Sequence, residues 1–316
     1  MIIQTEIGDT EVCKTMKKRL ISVALTLPLF SIIMFYDKVI SLFHLLILSI
    51  SICSASEIFY MAKVHRQKNL RTVITTMIAM VLGYVITICD VNVFKGDFSN
   101  LYKIVETKHP SMDLSLVMVF ALIAALFIIN MFKVHVSTFE EKGRAILTAV
   151  FCFIYVGLGV WHISLMRFMP SGKYYIVFIL LCAWLSDTGG YIVGRKLGKH
   201  KLSNSASPNK SYEGLVGMFL FTIPVSILYY NLYSKGYLSY ILGNNIPEFS
   251  FWQIMLLTVI FTFTGFLGDM GESLIKRMYD TKDSSKLFPG HGGVFDIFDS
   301  VILTAPISYY VFLLIQ

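Results

Sequence analysis

Long unbroken runs of apolar residues, separated by short polar stretches, dominate this chain. Nine such runs of about 15–23 residues fall at 20–36, 39–61, 73–93, 114–132, 145–165, 174–194, 214–233, 251–267 and 296–315. A helix needs about 20 apolar residues to cross a hydrocarbon core roughly 30 Å thick. Lipid offers no partner to a free backbone group, so helices are the default spanning element, and the ten-residue alternation of a membrane barrel is absent. The pattern predicts an all-α, polytopic integral membrane protein with about nine transmembrane helices. Only Asp37 and Lys38 separate the first two runs, which reads as a tight helical hairpin. Glu57, near the end of the second run, is an acid inside an apolar stretch. It belongs either at the membrane interface or against a polar cavity.

Composition agrees with the pattern. Of the 316 residues 55% are hydrophobic and 15% charged, against roughly 25% charged in soluble domains, and the mean hydropathy is +0.67. Such a chain cannot hide its apolar surface in a water-soluble globule. With the N-terminus in the cytoplasm, 20 of the 27 Lys and Arg residues fall in cytoplasmic segments and 7 on the other side. That asymmetry predicts N-terminus in and C-terminus out, and it accounts for the net charge of +7 without nucleic acid. Trp161 and Trp252 then sit at the outer edge, where indole rings tend to lie. The leader before residue 20 holds Glu6, Asp9 and Glu11, and no small-residue cleavage site follows, so an uncleaved first helix is expected. The five cysteines (Cys13, Cys53, Cys89, Cys152, Cys182) lie scattered, without a CxxC, and read as small apolar residues. No linker, repeat or low-complexity tract appears. Residues 1–316 are expected to form a single membrane domain, with N-terminal helices at 20–170 and catalytic helices and cytoplasmic loops at 174–316.

Polar chemistry concentrates in one stretch, 268–299, where six acids, four Lys or Arg, one His and five Gly gather between two apolar runs. If the helix continues past Asp269 through Arg277, then Asp269, Ser273 and Lys276 or Arg277 share a face. Asp296 and Asp299 share another, three residues apart. Between them, Phe288-Pro289-Gly290-His291-Gly292-Gly293 is a glycine-rich turn that lets backbone N–H groups approach an anion. Carboxylates from two helices can hold Mg²⁺, and Lys276, Arg277, Lys282 and Lys286 can neutralise phosphates. Acids for a metal with bases for phosphate suit nucleotidyl or phosphoryl transfer. Plainer readings exist: Asp296 and Asp299 as a dipole-complementing helix start, Lys276 and Arg277 as interface anchors, His291 as a loop residue.

A second polar loop follows the run at 174–194. It holds Ser186-Asp187-Thr188-Gly189-Gly190-Tyr191, then Gly194-Arg195 with Gly198-Lys199-His200, then Ser207-Pro208-Asn209-Lys210-Ser211-Tyr212-Glu213-Gly214. Asp187 inside an apolar helix is expensive unless paired, hydrated or bound to a cation. Ser211 can cap a helix whose first N–H groups favour phosphate. No Walker A, HExxH or dinucleotide glycine fingerprint occurs.

At these residues the chain resembles the phosphatidate cytidylyltransferases (CDP-diacylglycerol synthases) of bacterial type. The resemblance rests on Ser273, Ile275, Lys276-Arg277, Lys282-Asp283, Ser285, Phe288-Pro289, His291-Gly292-Gly293-Val294, Asp296 and Asp299. The Gly268-Asp269 and Glu272-Ser273 pairs and the upstream elements at 186–214 also match. Ile297 stands where that family usually has Arg, Asn209 where Lys is usual, and Tyr212 where Trp is usual. The resemblance implies transfer of CMP from CTP to phosphatidic acid, releasing pyrophosphate, at the cytoplasmic face of a bacterial inner membrane. It implies Mg²⁺, with room for a second, monovalent cation, and a homodimer. It assigns Asp269 and Asp296 to the metal. Lys276, Arg277, Lys282, Asp283, His291 and Asp299 join them as catalytic residues. Ser186, Asp187, Lys210, Ser273, Gly292 and Gly293 fall to substrate binding. An altered or inactive homologue is the alternative that Ile297 raises; a cation-coupled transporter using Asp187, Asp269 and Asp296 is a more distant one.

Overall fold

The computed structural model describes residues 40–64, 70–93, 121–126, 128, 139–202, 207–288 and 292–315. The helices are α1 (Ile40–Met61), α2 (Leu70–Val93), α3 (Phe139–Phe151), α4 (Gly159–Phe168), α5 (Gly172–Leu197), α6 (Tyr212–Ser234), α7 (Phe251–Met278) and α8 (Val294–Ile315). Among the described residues there is no β-strand, only two isolated bridges. Among the described residues, six helical stretches are long and apolar enough to cross a membrane, and a shorter apolar helix covers Leu70–Ile86. The expected runs at 20–36 and, apart from 121–126 and 128, at 114–132 lie outside the described residues. The protein is an all-helical integral membrane protein.

Two expected helices end later than hydropathy places them. α7 runs to Met278 rather than 267, and α5 to Leu197 rather than 194. Charged residues end an apolar run but not a helix when their side chains find partners on the inward face. α7 starts where expected, because Ser250 and Gln253 form a reciprocal capping box. The run at 145–165 is longer than expected, spanning Glu140–Phe168, and α3 passes into α4 through a π-helical segment, Cys152–Leu158. Nothing in the apolar pattern foretold that segment.

Many large apolar side chains point outward. Leu256, Val259, Phe263, Leu267 and Leu274 form an exposed stripe along α7, and Val216 and Leu220 do so on α6. Spacing of three and four residues makes these stripes continuous, as lipid contact requires. Inside, small residues let helices meet. A side chain at Gly189 would strike the carbonyl of Gly217, so α5 and α6 pack backbone to backbone. The glycine pair after Asp187 therefore serves helix packing. Hydroxyls bridge helices across the interior, Thr262 to Thr222 at 3.1 Å and Thr264 to Thr304 at 3.1 Å. Cys152 and Cys182 are buried free thiols and Cys53 is half-buried, in keeping with their reading as apolar residues.

Candidate active site

Five helix termini converge at one end of the bundle. They are the C-terminal parts of α1, α5 and α7 and the N-terminal starts of α6 and α8, tied by the contacts that follow. The close approach of α7 to α8 depends on Gly268, where a Cβ would lie 2.6 Å from the carbonyl oxygen of Asp299. That contact sets Asp269 and Glu272, from α7, beside Asp299 from α8. One oxygen from each of these three carboxylates lies within 4.8 Å of the other two. The Glu272 side chain is only 1% exposed.

Two ammonium groups flank the acids. Lys210 Nζ lies 2.6 Å from Asp269, and Lys276 Nζ lies 2.6 Å from Glu272 and 2.8 Å from Asp296. Lys210 also sits 5.2 Å from the centre of the Phe266 ring, a cation–π contact that holds the long side chain inward. The loop that delivers it is braced from both ends. Ser211 caps α6 by accepting from Gly214 N at 3.1 Å, and Glu213 accepts from the backbone of Lys199 and His200 and from the His200 ring. Buried charges persist where opposite charges pair them, and here carboxylates and amines alternate.

The glycine-rich turn before α8 differs from its sequence reading. Its backbone N–H groups do point at anions, but those anions are side chains of this protein. Asp296 accepts from Gly293 N at 2.6 Å and from Ser284 N at 2.9 Å, while its other oxygen meets Lys276. Glu57, from α1, accepts from Val294 N and Phe295 N at 2.9 Å each, and from the hydroxyls of Ser284 at 2.8 Å and Ser285 at 2.7 Å. The two adjacent glycines make this possible. Gly292 has φ +89, the left-handed region, and a Cβ on Gly293 would collide with the Glu57 carboxylate and the Ser284 hydroxyl. Glu57 is buried and spends both oxygens on protein donors beside the acid cluster.

The remaining expected residues fall as follows. Ser186 is buried and donates to Ala183 O at 2.7 Å, so it lines the helix contact. Asp187 is exposed beside the cluster, with Ser300 Oγ at 3.5 Å. Ser273 is half-buried on α7, while Arg277, Lys282 and Asp283 are exposed around the end of that helix and do not join the acid cluster. His291 lies outside the described residues. Of the pair that the resemblance assigns to a metal, Asp269 lies in the three-acid cluster and Asp296 borders it, sharing Lys276 Nζ with Glu272 at 2.8 and 2.6 Å. Glu272, part of the matching Glu272-Ser273 pair, carries no assigned role in the sequence reading, and Ser284 does not enter it. Glu272 was legible, three residues after Asp269 and four before Lys276 on one helical face. The role of Ser284 depends on a fold contact that no local spacing reveals.

Three oxygen donors from two helices suit a hard divalent cation, which takes carboxylates and keeps other positions for water or phosphate. The flanking amines suit phosphate. Fold and site thus define an integral membrane protein with a half-buried cluster of acids and amines at one end of its helices, able to hold a metal ion. The sequence model of the cytidylyltransferase family matches residues 17–315. Relatives named phosphatidate cytidylyltransferase include one from Staphylococcus saprophyticus, 36% identical over 190 residues. Others come from Staphylococcus haemolyticus, 34% over 192 residues, and Staphylococcus epidermidis, 36% over 189. In each case the match covers 59% of this chain and 66% of the relative, a little under two thirds of its length. The chain belongs to the cytidylyltransferase family.

Proposed function

We propose that the protein transfers CMP from CTP to phosphatidic acid, giving CDP-diacylglycerol and pyrophosphate for phospholipid synthesis. The observation that carries this reading is the Asp269–Glu272–Asp299 cluster flanked by Lys210 and Lys276, in a chain of this family. An oxygen of the phosphatidic acid phosphate attacks the α-phosphorus of CTP, and the bond from that phosphorus to the pyrophosphate oxygen breaks. The attacking phosphate is already ionised at neutral pH, so no strong general base is needed. That fits a site with no Ser–His or Cys–His pair among its described residues. Catalysis rests on positioning and charge neutralisation.

Asp269, Glu272 and Asp299 would hold Mg²⁺. Bound there, the ion would neutralise phosphate charge and orient the phosphates for in-line transfer. Lys210 and Lys276 are close enough to the acids to turn to phosphate oxygens as substrate arrives, and Asp296 keeps Lys276 oriented. Exposed Lys282, Lys286 and Arg277 meet the triphosphate from the water side. Asp187, exposed beside the cluster, is the carboxylate left for a second, monovalent cation. The full topology belongs to this proposal: nine spans, N-terminus in the cytoplasm, C-terminus outside, and the site facing the cytoplasm of a bacterial inner membrane, where CTP is. The chain works as one membrane domain, with helices at 20–170 as scaffold and 174–316 carrying the chemistry, and as a homodimer.

The test is direct. Purified protein in detergent, given labelled CTP, phosphatidic acid and Mg²⁺, should form CDP-diacylglycerol and pyrophosphate, and chelation of the metal should stop it. No product across a range of Mg²⁺ concentrations sinks the reading. Product from CTP with a different lipid phosphate as sole acceptor would reassign the substrate.

A further inference from the structure

Glu57 stands apart from every other charged group at this end of the bundle. It comes from α1, outside the four helices that carry the acids and lysines, and 227 to 238 residues separate it from its partners. It is 8% exposed, and both oxygens are fully used. Oε1 accepts from Ser285 Oγ and Val294 N, and Oε2 accepts from Ser284 Oγ and Phe295 N. Four donors on one carboxylate, two from a helix start and two from a loop, fix the loop against the helix. Ser284 then links Glu57 to the site. Its hydroxyl also lies 2.9 Å from Asp296 Oδ2, and its N–H donates to the same oxygen. Asp296 meets Lys276, and Lys276 meets Glu272 of the acid cluster. α1 makes a second, weaker contact with the same loop, where Thr281 Oγ1 lies 3.2 Å from Met61 Sδ.

We propose that Glu57 is a positioning residue for CMP transfer, acting through Ser284 and Asp296 to hold Lys276 at the acid cluster. The inference rests on the functional reading above. Glu57 needs no contact with substrate for this. Its carboxylate is the counter-anion that lets the α8 N-terminus and the turn close over the site, and it already occupies the N–H groups that a phosphate would otherwise take. The consequence is that a helix of the N-terminal scaffold sets the geometry of the C-terminal site. A carboxamide cannot do the same, because its NH₂ would face a backbone N–H, which can only donate.

The experiment compares wild type with Glu57→Gln, Ser284→Ala, Ser285→Ala and Glu57→Asp in one detergent preparation. Turnover, KM for CTP, and hydrogen exchange of the 281–295 segment are read together. Glu57→Gln should lower kcat by about 30-fold, in the range of a misplaced catalytic constellation, with KM for CTP changed by less than about 3-fold. Exchange should quicken at 284–295 while the α5 and α6 segments stay protected. Ser284→Ala should lower kcat by about 10-fold, and combining it with Glu57→Gln should add little, because both act through one link. Glu57→Asp, which keeps the charge, should recover part of the lost turnover. Wild-type kcat in folded Glu57→Gln overturns the proposal. If Glu57→Gln does not fold, wild-type kcat in both serine variants overturns it instead. If wild type itself makes no CDP-diacylglycerol while Glu57→Gln still loosens 284–295, the functional reading fails and the tether stands as an anchor of that loop.

Discussion

Tyr84, which is buried, and Lys276, which is half-buried, both tie helices together, and they do so by different means. In the N-terminal helices, the Tyr84 hydroxyl lies 2.6 Å from Ser164 Oγ and donates to the His44 carbonyl at 2.9 Å. That joins α2, α4 and α1 without any formal charge. In the C-terminal helices, Lys276 joins α7 to α8 through Asp296 at 2.8 Å while pairing with Glu272 of its own helix at 2.6 Å. Neutral hydrogen bonds between membrane helices cost little to bury and are worth about 0.6 kcal/mol on average. Charges at such depth are expensive and persist where function requires them. Hydroxyls alone thus tie α1, α2 and α4 at Tyr84, whereas at the candidate site charged groups join the hydroxyls that tie α7 to α8. Glu57 is the exception that crosses the divide.

The sharpest way to break this contrast is Asp269→Asn. It removes one carboxylate of the cluster and leaves Lys210 buried without its counter-charge. Losing one preorganised charge at the reacting phosphates should lower turnover by about 10²- to 10³-fold. CDP-diacylglycerol formation close to wild type would remove Asp269 from the metal site. Gly293→Ala comes next. Its Cβ would press on Glu57 and Ser284. Overpacking of about 1–3 kcal/mol should reduce turnover by about 10- to 100-fold and lower the thermal midpoint.

The scaffold side predicts a different split. Tyr84→Phe should cost about 1 kcal/mol of stability, seen as a lower midpoint in a thermal-shift assay, with kcat within about 2-fold of wild type. A large loss of kcat there would erase the distinction between the two halves. Ile297→Arg should change least, within about 3-fold in turnover, since a substitution away from special features has small effects. Lys276 already supplies a cation to Asp296. A large gain in activity would mean that the replaced arginine serves the site in a way Lys276 does not.

Helix existence was legible in the chain because lipid forces long apolar runs to be helices. Six runs and a shorter seventh match the described helices to within a few residues, apart from the charged C-terminal end of α7. The polar content of the site was legible too, since Asp269, Lys276, Asp296 and Asp299 lie in one charged stretch between apolar ones. Spacing along a helix says which residues share a face, and so Glu272 could have been grouped with Asp269 and Lys276. What spacing cannot give is which face meets which helix. Lys210 reaches Asp269 only because α5 and α6 pack at their glycines and deliver the loop between them to α7. Asp299 reaches Asp269 because Gly268 lets the backbone of α8 approach α7 at that residue.

The sequence by itself therefore determined the class, the helices and the residue types of the site, because hydrophobic periodicity and charge are local properties. The tertiary structure alone decided the partners. It turned the glycine-rich turn toward Glu57 and Asp296, set Lys276 between Glu272 and Asp296, and brought a residue of α1 to the start of α8. A buried charge is stable only beside its opposite, and the chain finds that opposite in space, at sequence separations no local pattern encodes.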